Sequence, residues 1–169
     1  AKLASNDYTM EGLRGRQLGQ LTAGVLGTGR IGRTTMTLLN GFGTKVLGWD
    51  PYPNEPAAKL CTYVERDELL KQSDIVFLHC PLTPESYHVI GKETLSMMKD
   101  GAVLINTARG GLVDHAAVLE ALESGKLSGF AFDVYENEAA FVRKKKTLDE
   151  INDPTFAALL ARDNAIYSP

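Results

Sequence analysis

Gly27-Thr28-Gly29-Arg30-Ile31-Gly32 decides how this chain folds, because of what flanks it. Before it runs an apolar stretch, Thr22-Ala23-Gly24-Val25-Leu26, that reads as a strand. Ile31 to Phe42 then carries a helical pattern with Ile31, Leu38 and Phe42 on one face, and Gly43 is its left-handed stop. The next apolar stretch, Lys45-Val46-Leu47-Gly48-Trp49, closes on Asp50. Strand, glycine turn, helix, strand, acid is the order of elements that binds a dinucleotide.

Each residue type has a task in that order. Gly27 permits the tight turn out of the strand. Gly29 lets the backbone approach a pyrophosphate, and Gly32 lets the helix pack against the sheet. Free N–H groups around Arg30 and Ile31 point at the phosphates, and the helix dipole assists them. Asp50 accepts hydrogen bonds from ribose hydroxyls and repels a 2′-phosphate, which favours NAD over NADP. Arg33 and Lys45 are the nearby cations that oppose this preference. The alternative is a glycine turn in another βαβ protein, such as a methyltransferase that binds a nucleoside.

The 169 residues fit one domain with a substantial core. With net charge −3 and no sustained basic stripe, nucleic acid is not an expected partner. There is no run of about 18 apolar residues to span a membrane. The opening residues are polar and charged, unlike a signal peptide. Two cysteines, Cys61 and Cys80, are too few for a disulfide framework, so a cytoplasmic location is expected, with Cys80 buried at a strand end.

Ala1 to Gln20 is glycine-rich and weakly patterned and reads as a connecting segment. Residues 21–169 alternate strands and helices. Pro51, Pro53 and Pro56 make a rigid turn after the second strand, and Ala57 to Leu60 forms a short helix. Tyr63-Val64 is a short strand, Arg66 to Gln72 a helical turn or two, and Asp74 to Cys80 a buried strand ended by Pro81. Lys92 to Met98 is helical, and Asp100-Gly101 turns it into the strand Ala102 to Thr107. Asp114 caps a helix whose Val118, Leu119 and Leu122 face inward, with His115 solvated in its first turn and Gly125 as its stop. Gly129 to Val134 is a strand, Glu136 to Asp153 a long polar loop, Pro154 to Ala161 a helix, and Ala165-Ile166-Tyr167 a last strand.

Continuous apolar strands alternating with helices imply an α/β fold of Rossmann type, a doubly wound parallel sheet in three α/β/α layers. Ligands of such sheets bind at the carboxyl ends of the strands. That rule selects Gly27 to Gly32, Asp50, Cys80-Pro81, Thr107-Ala108-Arg109 and the residues from Asp133 onward. Arg109 is the strong cation among them. Asp133, Glu136 and Glu138 are the acids.

Asn106-Thr107-Ala108-Arg109-Gly110-Gly111-Leu112-Val113-Asp114 and Phe132-Asp133-Val134-Tyr135-Glu136-Asn137-Glu138 resemble signature segments of the D-isomer-specific 2-hydroxyacid dehydrogenases. Leu78-His79-Cys80-Pro81-Leu82-Thr83 is similar to a third. The resemblance runs from Asp7 onward and implies a role for each motif residue. Arg109 holds a substrate carboxylate, as a planar fork suits. Glu138 orients and charges a catalytic histidine, Asp133 bonds the nicotinamide carboxamide, and Cys80-Pro81 line the cofactor. Ser86 falls at a polar cofactor contact. The competing readings are an ion pair for Arg109, a solvated loop for Glu138 (with Glu136 easily confused with it), and a turn cap for Asp133.

None of His79, His88 and His115 fits the family's catalytic histidine, which follows a terminal strand ending in proline. Ser168-Pro169 stands at that point. The expectation is therefore a cofactor domain cut from a two-domain enzyme, inactive alone. The insert after Glu138, with Arg143-Lys144-Lys145-Lys146, resembles the D-lactate type, so the expected substrate is pyruvate or a related small 2-keto acid. The family implies a homodimer joined through the cofactor domain. The competing class is an NAD-sensing corepressor-like binding module of the same fold.

Overall fold

A computed structural model describes residues 15–138 and 148–168. Their strands form one sheet in which every pairing is parallel. β1 (Thr22–Leu26) is central and pairs with β2 (Lys45–Trp49) on one side and β4 (Ile75–Leu78) on the other. β3 (Thr62–Tyr63) is one edge, and β5 (Ala102–Asn106), β6 (Leu127–Phe132) and β7 (Ala165–Tyr167) complete the order β3-β2-β1-β4-β5-β6-β7. The order reverses beside β1, which puts the switch point between β1 and β4.

Alternate residues of the strands feed two buried clusters, as the pleat requires. Ala23, Val25 and Val46 pack with Met36, Leu39 and Ala57. Leu26, Leu47, Val76, Leu78 and Leu104 belong to the larger cluster. The helices are α1 (Arg30–Gly41), α2 (Glu55–Ala58), α3 (Arg66–Gln72), α4 (Lys92–Met97), α5 (His115–Glu123), α6 (Leu148–Ile151) and α7 (Pro154–Leu160). None of the described helices is long and apolar enough to cross a membrane.

Two sequence expectations are corrected. The stripe Ile31, Leu38 and Phe42 on α1 faces outward, at 62%, 63% and 64% exposure, while Gly32, Met36 and Leu39 face the sheet. The cause lies at Gly32: a Cβ there would stand 2.0 Å from the Gly27 carbonyl oxygen, so this side of the helix is pressed against the turn. Met36 and Leu39 follow it on the same face. His115 is not solvated. It is buried against Phe130, Phe132 and Tyr135, with centroids 6.0, 5.9 and 4.4 Å away.

Other differences are local. Two 3-10 turns, Leu18–Gln20 and Gly110–Leu112, are not expected from the sequence. Within the expected polar loop, α6 is a helix, and residues 139–147, which include the basic run, lie outside the described residues. The predicted caps are in place. Asp114 accepts from the Ala116 and Ala117 N–H groups, and Gly43 and Gly125 have φ of 73° and 79°. Of the connecting segment, Arg16 is ion-paired to Asp74, and the Leu18 carbonyl accepts from Thr44 Oγ1.

Candidate cofactor and substrate site

Strand register builds the site. Trp49, Leu26, Leu78, Asn106, Phe132 and Tyr167 stand side by side in one row across the sheet. The next residue of each strand, Asp50, Gly27, His79, Thr107, Asp133 and Ser168, therefore falls on one carboxyl-end edge. Sequence reasoning named four of these six positions from the strand-end rule alone.

The glycine turn is built as its residue types require. Gly27 has φ 94°, and a Cβ on it would sit 2.4 Å from the Cys80 backbone nitrogen, so only glycine fits. At Gly29 an added Cβ meets nothing within 4 Å. That open space faces the first turn of α1, whose early N–H groups lack intrahelical partners. Such N–H groups can hold a phosphate. Arg30 is exposed beside it, while Arg33 donates to the Thr28 carbonyl oxygen at 3.3 Å. Lys45 stands at the opposite end of β2 from Asp50.

Asp50 is half-buried and already held. Its Oδ2 accepts from Thr28 N–H at 2.7 Å and from Thr28 Oγ1 at 3.2 Å, and its Oδ1 accepts from Tyr52 N–H at 2.9 Å. A cleft of about 630 Å³ continues from the turn, lined by Ile31, His79, Cys80, Pro81, Thr107, Ala108 and Arg109 among others. Burial pushes the Cys80 thiol up to about 11, so it lines the wall as an apolar group and is no nucleophile. Burial also lowers the His79 imidazole, whose Nε2 lies 2.9 Å from Thr35 Oγ1.

Arg109 stands at the cleft on an exposed, strand-like backbone, and its Nη1 donates to the Ala108 carbonyl oxygen at 2.6 Å. Among the described residues no carboxylate pairs with it. The loop is held by Asn106, whose Nδ2 donates to the Arg109 carbonyl and whose Oδ1 accepts from Ala108 N–H. Gly110 seats it against the next loop, because a Cβ there would stand 2.1 Å from the Tyr135 carbonyl carbon. The Arg109 loop and the Tyr135–Glu138 turn are thus in direct contact.

Glu138 is half-buried and held in that turn, its Oε2 accepting from Tyr135 N–H at 2.8 Å. Tyr135 in turn donates to both oxygens of Asp153, the cap of α7. Glu136 is engaged elsewhere: Tyr87 Oη donates to it at 2.7 Å, and His88 Nε2 lies at 3.2 Å. The structure thus distinguishes the two glutamates. Asp133 is exposed on the carboxyl-end edge beside Asn106, whose carbonyl accepts its N–H. Ser86 does not line the cleft. Its hydroxyl donates to the Pro81 carbonyl and accepts from Thr83 N–H within its own loop.

Sequence reasoning missed Asn106 as a holder of Arg109, and Thr28, Asn54 and Tyr63 as partners around Asp50. Asn106 carried a signal, since asparagine side chains commonly bond the backbone two residues on. Tyr63 carried none, because its contacts come from a neighbouring strand and turn.

This edge, with its glycine bend over a helix start, an acid one strand away and an arginine that has no carboxylate partner among the described residues, defines a dinucleotide-binding domain of Rossmann type. Over residues 1–169 the sequence matches the family described as D-isomer specific 2-hydroxyacid dehydrogenase, NAD binding domain, and the chain belongs to that family. It is 46% identical over 146 residues, 86% of its length and 44% of the relative's, to a D-lactate dehydrogenase of Treponema pallidum. It is 43% identical over 165 residues, 97% of its length and 50% of the relative's, to an aromatic 2-oxoacid reductase of Clostridium sporogenes. Its fold is similar to the crystal structure of a D-lactate dehydrogenase with NAD+ from Lactobacillus jensenii. The TM-score is 0.92 at 33% identity, over 99% of this chain and 51% of that one. The chain spans about half the length of the relatives it matches.

Proposed function

We propose that this chain is the cofactor-holding half of an NAD-dependent D-2-hydroxyacid dehydrogenase that interconverts pyruvate, or a related small 2-keto acid, with the D-2-hydroxy acid. The observation that carries this reading is Arg109, a guanidinium without an acidic partner among the described residues, on the same edge as the glycine turn. A planar guanidinium left open at the cleft suits a bidentate grip on a substrate carboxylate. The relatives named as a dehydrogenase and a reductase also favour the enzyme over the corepressor-like module.

The residues divide the work. The helix start at Arg30 and Ile31 takes the diphosphate, and Asp50 takes the adenosine ribose. Thr107, Ala108, Cys80 and Pro81 wall the cleft, and Asp133, on the same carboxyl-end edge, accepts from the nicotinamide carboxamide. Arg109 grips the substrate carboxylate in bidentate fashion and polarises the adjoining carbonyl. The chemistry that NAD would supply when held by these residues is hydride transfer to and from the substrate carbon. Glu138, fixed by Tyr135 N–H, stabilises an imidazolium and so raises the basicity of a proton-transferring histidine.

The three histidines of this chain are placed for other work. His79 is tied to Thr35, His88 to Glu136, and His115 is sealed among aromatic rings. By itself, therefore, the chain binds NAD and does not turn over. We further propose a homodimer through this domain, supported by the outward apolar stripe of α1. The two cysteines are free thiols, which suits a reducing compartment such as the cytoplasm.

Titration of this chain with NADH, followed by nicotinamide fluorescence, tests the reading. Saturable binding that Asp50→Ala weakens is expected, together with no pyruvate-dependent oxidation of NADH. Absence of binding overturns the cofactor role, and measurable turnover overturns the division of labour between this domain and an outside histidine.

A further inference from the structure

The carboxylate expected to select the coenzyme is not free to turn. Three donors reach Asp50: Thr28 N–H, Thr28 Oγ1 and Tyr52 N–H. A carboxylate offers about four acceptor positions, so about one is left for a sugar hydroxyl. Thr28 is fully buried and is the hinge of the arrangement. Its hydroxyl has a single proton. Three polar groups surround that hydroxyl: Asp50 Oδ2 at 3.2 Å, Tyr63 Oη at 2.7 Å and Asn54 Nδ2 at 3.0 Å.

Counting protons fixes the direction of these bonds. Asp50 only accepts and the Asn54 amide only donates, so the threonine proton goes to Asp50. Tyr63 must then donate to Thr28. The Tyr63 oxygen accepts in its turn from Asn54 N–H at 3.2 Å. Asn54 is itself fixed as the cap of α2, its Oδ1 accepting from Ala57 N–H at 3.1 Å. The donors therefore run one way, from Asn54 to Tyr63 to Thr28 to Asp50, and each bond in such a chain polarises the next.

We propose that Tyr63 and Asn54 are positioning residues for coenzyme selection, acting on Asp50 through the buried Thr28 hydroxyl. A carboxylate locked in one rotamer presents its acceptor to the ribose diol without loss of side-chain freedom on binding. The same lock keeps its charge facing a 2′-phosphate and prevents it from swinging aside to admit one. Loosening the chain should therefore weaken NADH and relax the rejection of NADPH together. The inference rests on Asp50 as the ribose anchor, and its test separates the two.

NADH and NADPH dissociation constants are measured for this chain, for Tyr63→Phe, for Asp50→Ala and for the double variant, with a melting curve for each. Tyr63→Phe keeps the ring and removes only the hydroxyl. It should weaken NADH about three- to tenfold, the cost of one hydrogen bond, and lower the NADH-to-NADPH preference by a similar factor. In the Asp50→Ala background the same change should move neither constant, because the group it acts on is gone. An equal loss of NADH affinity in both backgrounds, or an unchanged preference, overturns the relay and leaves the Asp50 reading standing. If Asp50→Ala itself leaves NADH binding unchanged, the ribose reading and the relay both fall.

Discussion

Asn106 holds Arg109 by the main chain: its Nδ2 donates to the Arg109 carbonyl oxygen at 2.9 Å, while its Oδ1 accepts from Ala108 N–H at 3.1 Å. The side chain is fully buried at the last position of β5, so the loop that presents the guanidinium is tied back to the sheet. Asn106→Ala removes both bonds and strands the Ala108 N–H. We expect a loss of about 1–3 kcal/mol in urea unfolding of this chain. Asn106→Asp keeps the acceptor, loses the donor and buries a carboxylate oxygen against the Arg109 carbonyl oxygen, so it should cost at least as much. A cost of only a few tenths would mean that the loop is held by Gly110 packing alone.

Arg109 itself carries the substrate prediction. Lysine has the charge and not the planar fork, so Arg109→Lys is not a mild change at a bidentate site. In the full-length enzyme we expect Arg109→Lys to cut kcat/KM for pyruvate about tenfold to a hundredfold, in line with losing the second bond of a bidentate charge-assisted pair. The NADH dissociation constant of this chain should change little, since the proposed diphosphate and ribose contacts lie elsewhere. A large loss of NADH affinity with intact kcat/KM would assign Arg109 to the coenzyme.

Asp74 ties three parts of the structure together at the other end of the sheet. Arg16 lies 2.9 Å from its Oδ1, Lys99 lies 3.3 Å from the same atom, and Thr22 N–H donates to Oδ2 at 2.8 Å. Partial burial raises its pKa, and these three partners outweigh that, leaving it below the ordinary value of 3.8. A depressed carboxyl stabilises the fold above its unfolded pKa and loses that stabilisation as pH falls through its folded one. The stability gap between this chain and Asp74→Asn should thus be constant from pH 7 to 5 and shrink below about pH 4. Urea midpoints at each pH check it, and a gap that widens on acidification would contradict the assignment.

Much of this architecture is legible in the residues because local and global signals agree. The last strand, Ala165–Tyr167, falls where its residues predict, and the glycine bend, the Asp114 cap and the Gly43 and Gly125 stops are all local chemistry. Failures occur where a distant contact overrules a local pattern. The Ile31, Leu38 and Phe42 stripe has the right period and the wrong direction, because Gly32 is pinned against the Gly27 carbonyl. His115 follows a helix cap and looks solvated, yet rings from β6 and the loop after it close over it. At the site, Asp50, Arg109 and Glu138 are readable as residues. Their holders Tyr63, Asn106 and Tyr135 are visible only once strands and loops are brought together.

His115 makes a separate pH prediction. Both ring nitrogens are buried without a hydrogen-bond partner among the described residues. Burial lowers its pKa to about 4, with Asp114, Glu136 and Asp153 opposing that effect and His88 adding to it. The unfolded imidazole binds a proton below about pH 6.5 while the folded one refuses it, so stability falls between pH 6.5 and 4 by up to about 3 kcal/mol. His115→Leu removes both the slope and two unsatisfied polar atoms. It should be as stable as this chain at pH 7, or about 1 kcal/mol more so, and flatter in acid. Destabilisation at pH 7 with the slope retained would place the titrating group elsewhere.

The outward face of α1 gives the last prediction. Leu38 and Phe42 lie one turn apart and are each nearly two-thirds exposed, while the opposite face of the helix is fully engaged with the sheet. Two large apolar groups so placed gain about 1.5–3 kcal/mol each when covered. A two-fold axis beside α1 would bury them against their own copies, so each substitution counts twice. We expect this chain to run as a dimer in size-exclusion chromatography with light scattering at micromolar concentration. Leu38→Glu with Phe42→Glu should convert it to a monomer, with the NADH dissociation constant unchanged within about twofold, because neither residue lines the cleft. A wild-type chain that remains monomeric at high concentration would exclude this face as the dimer contact within this domain.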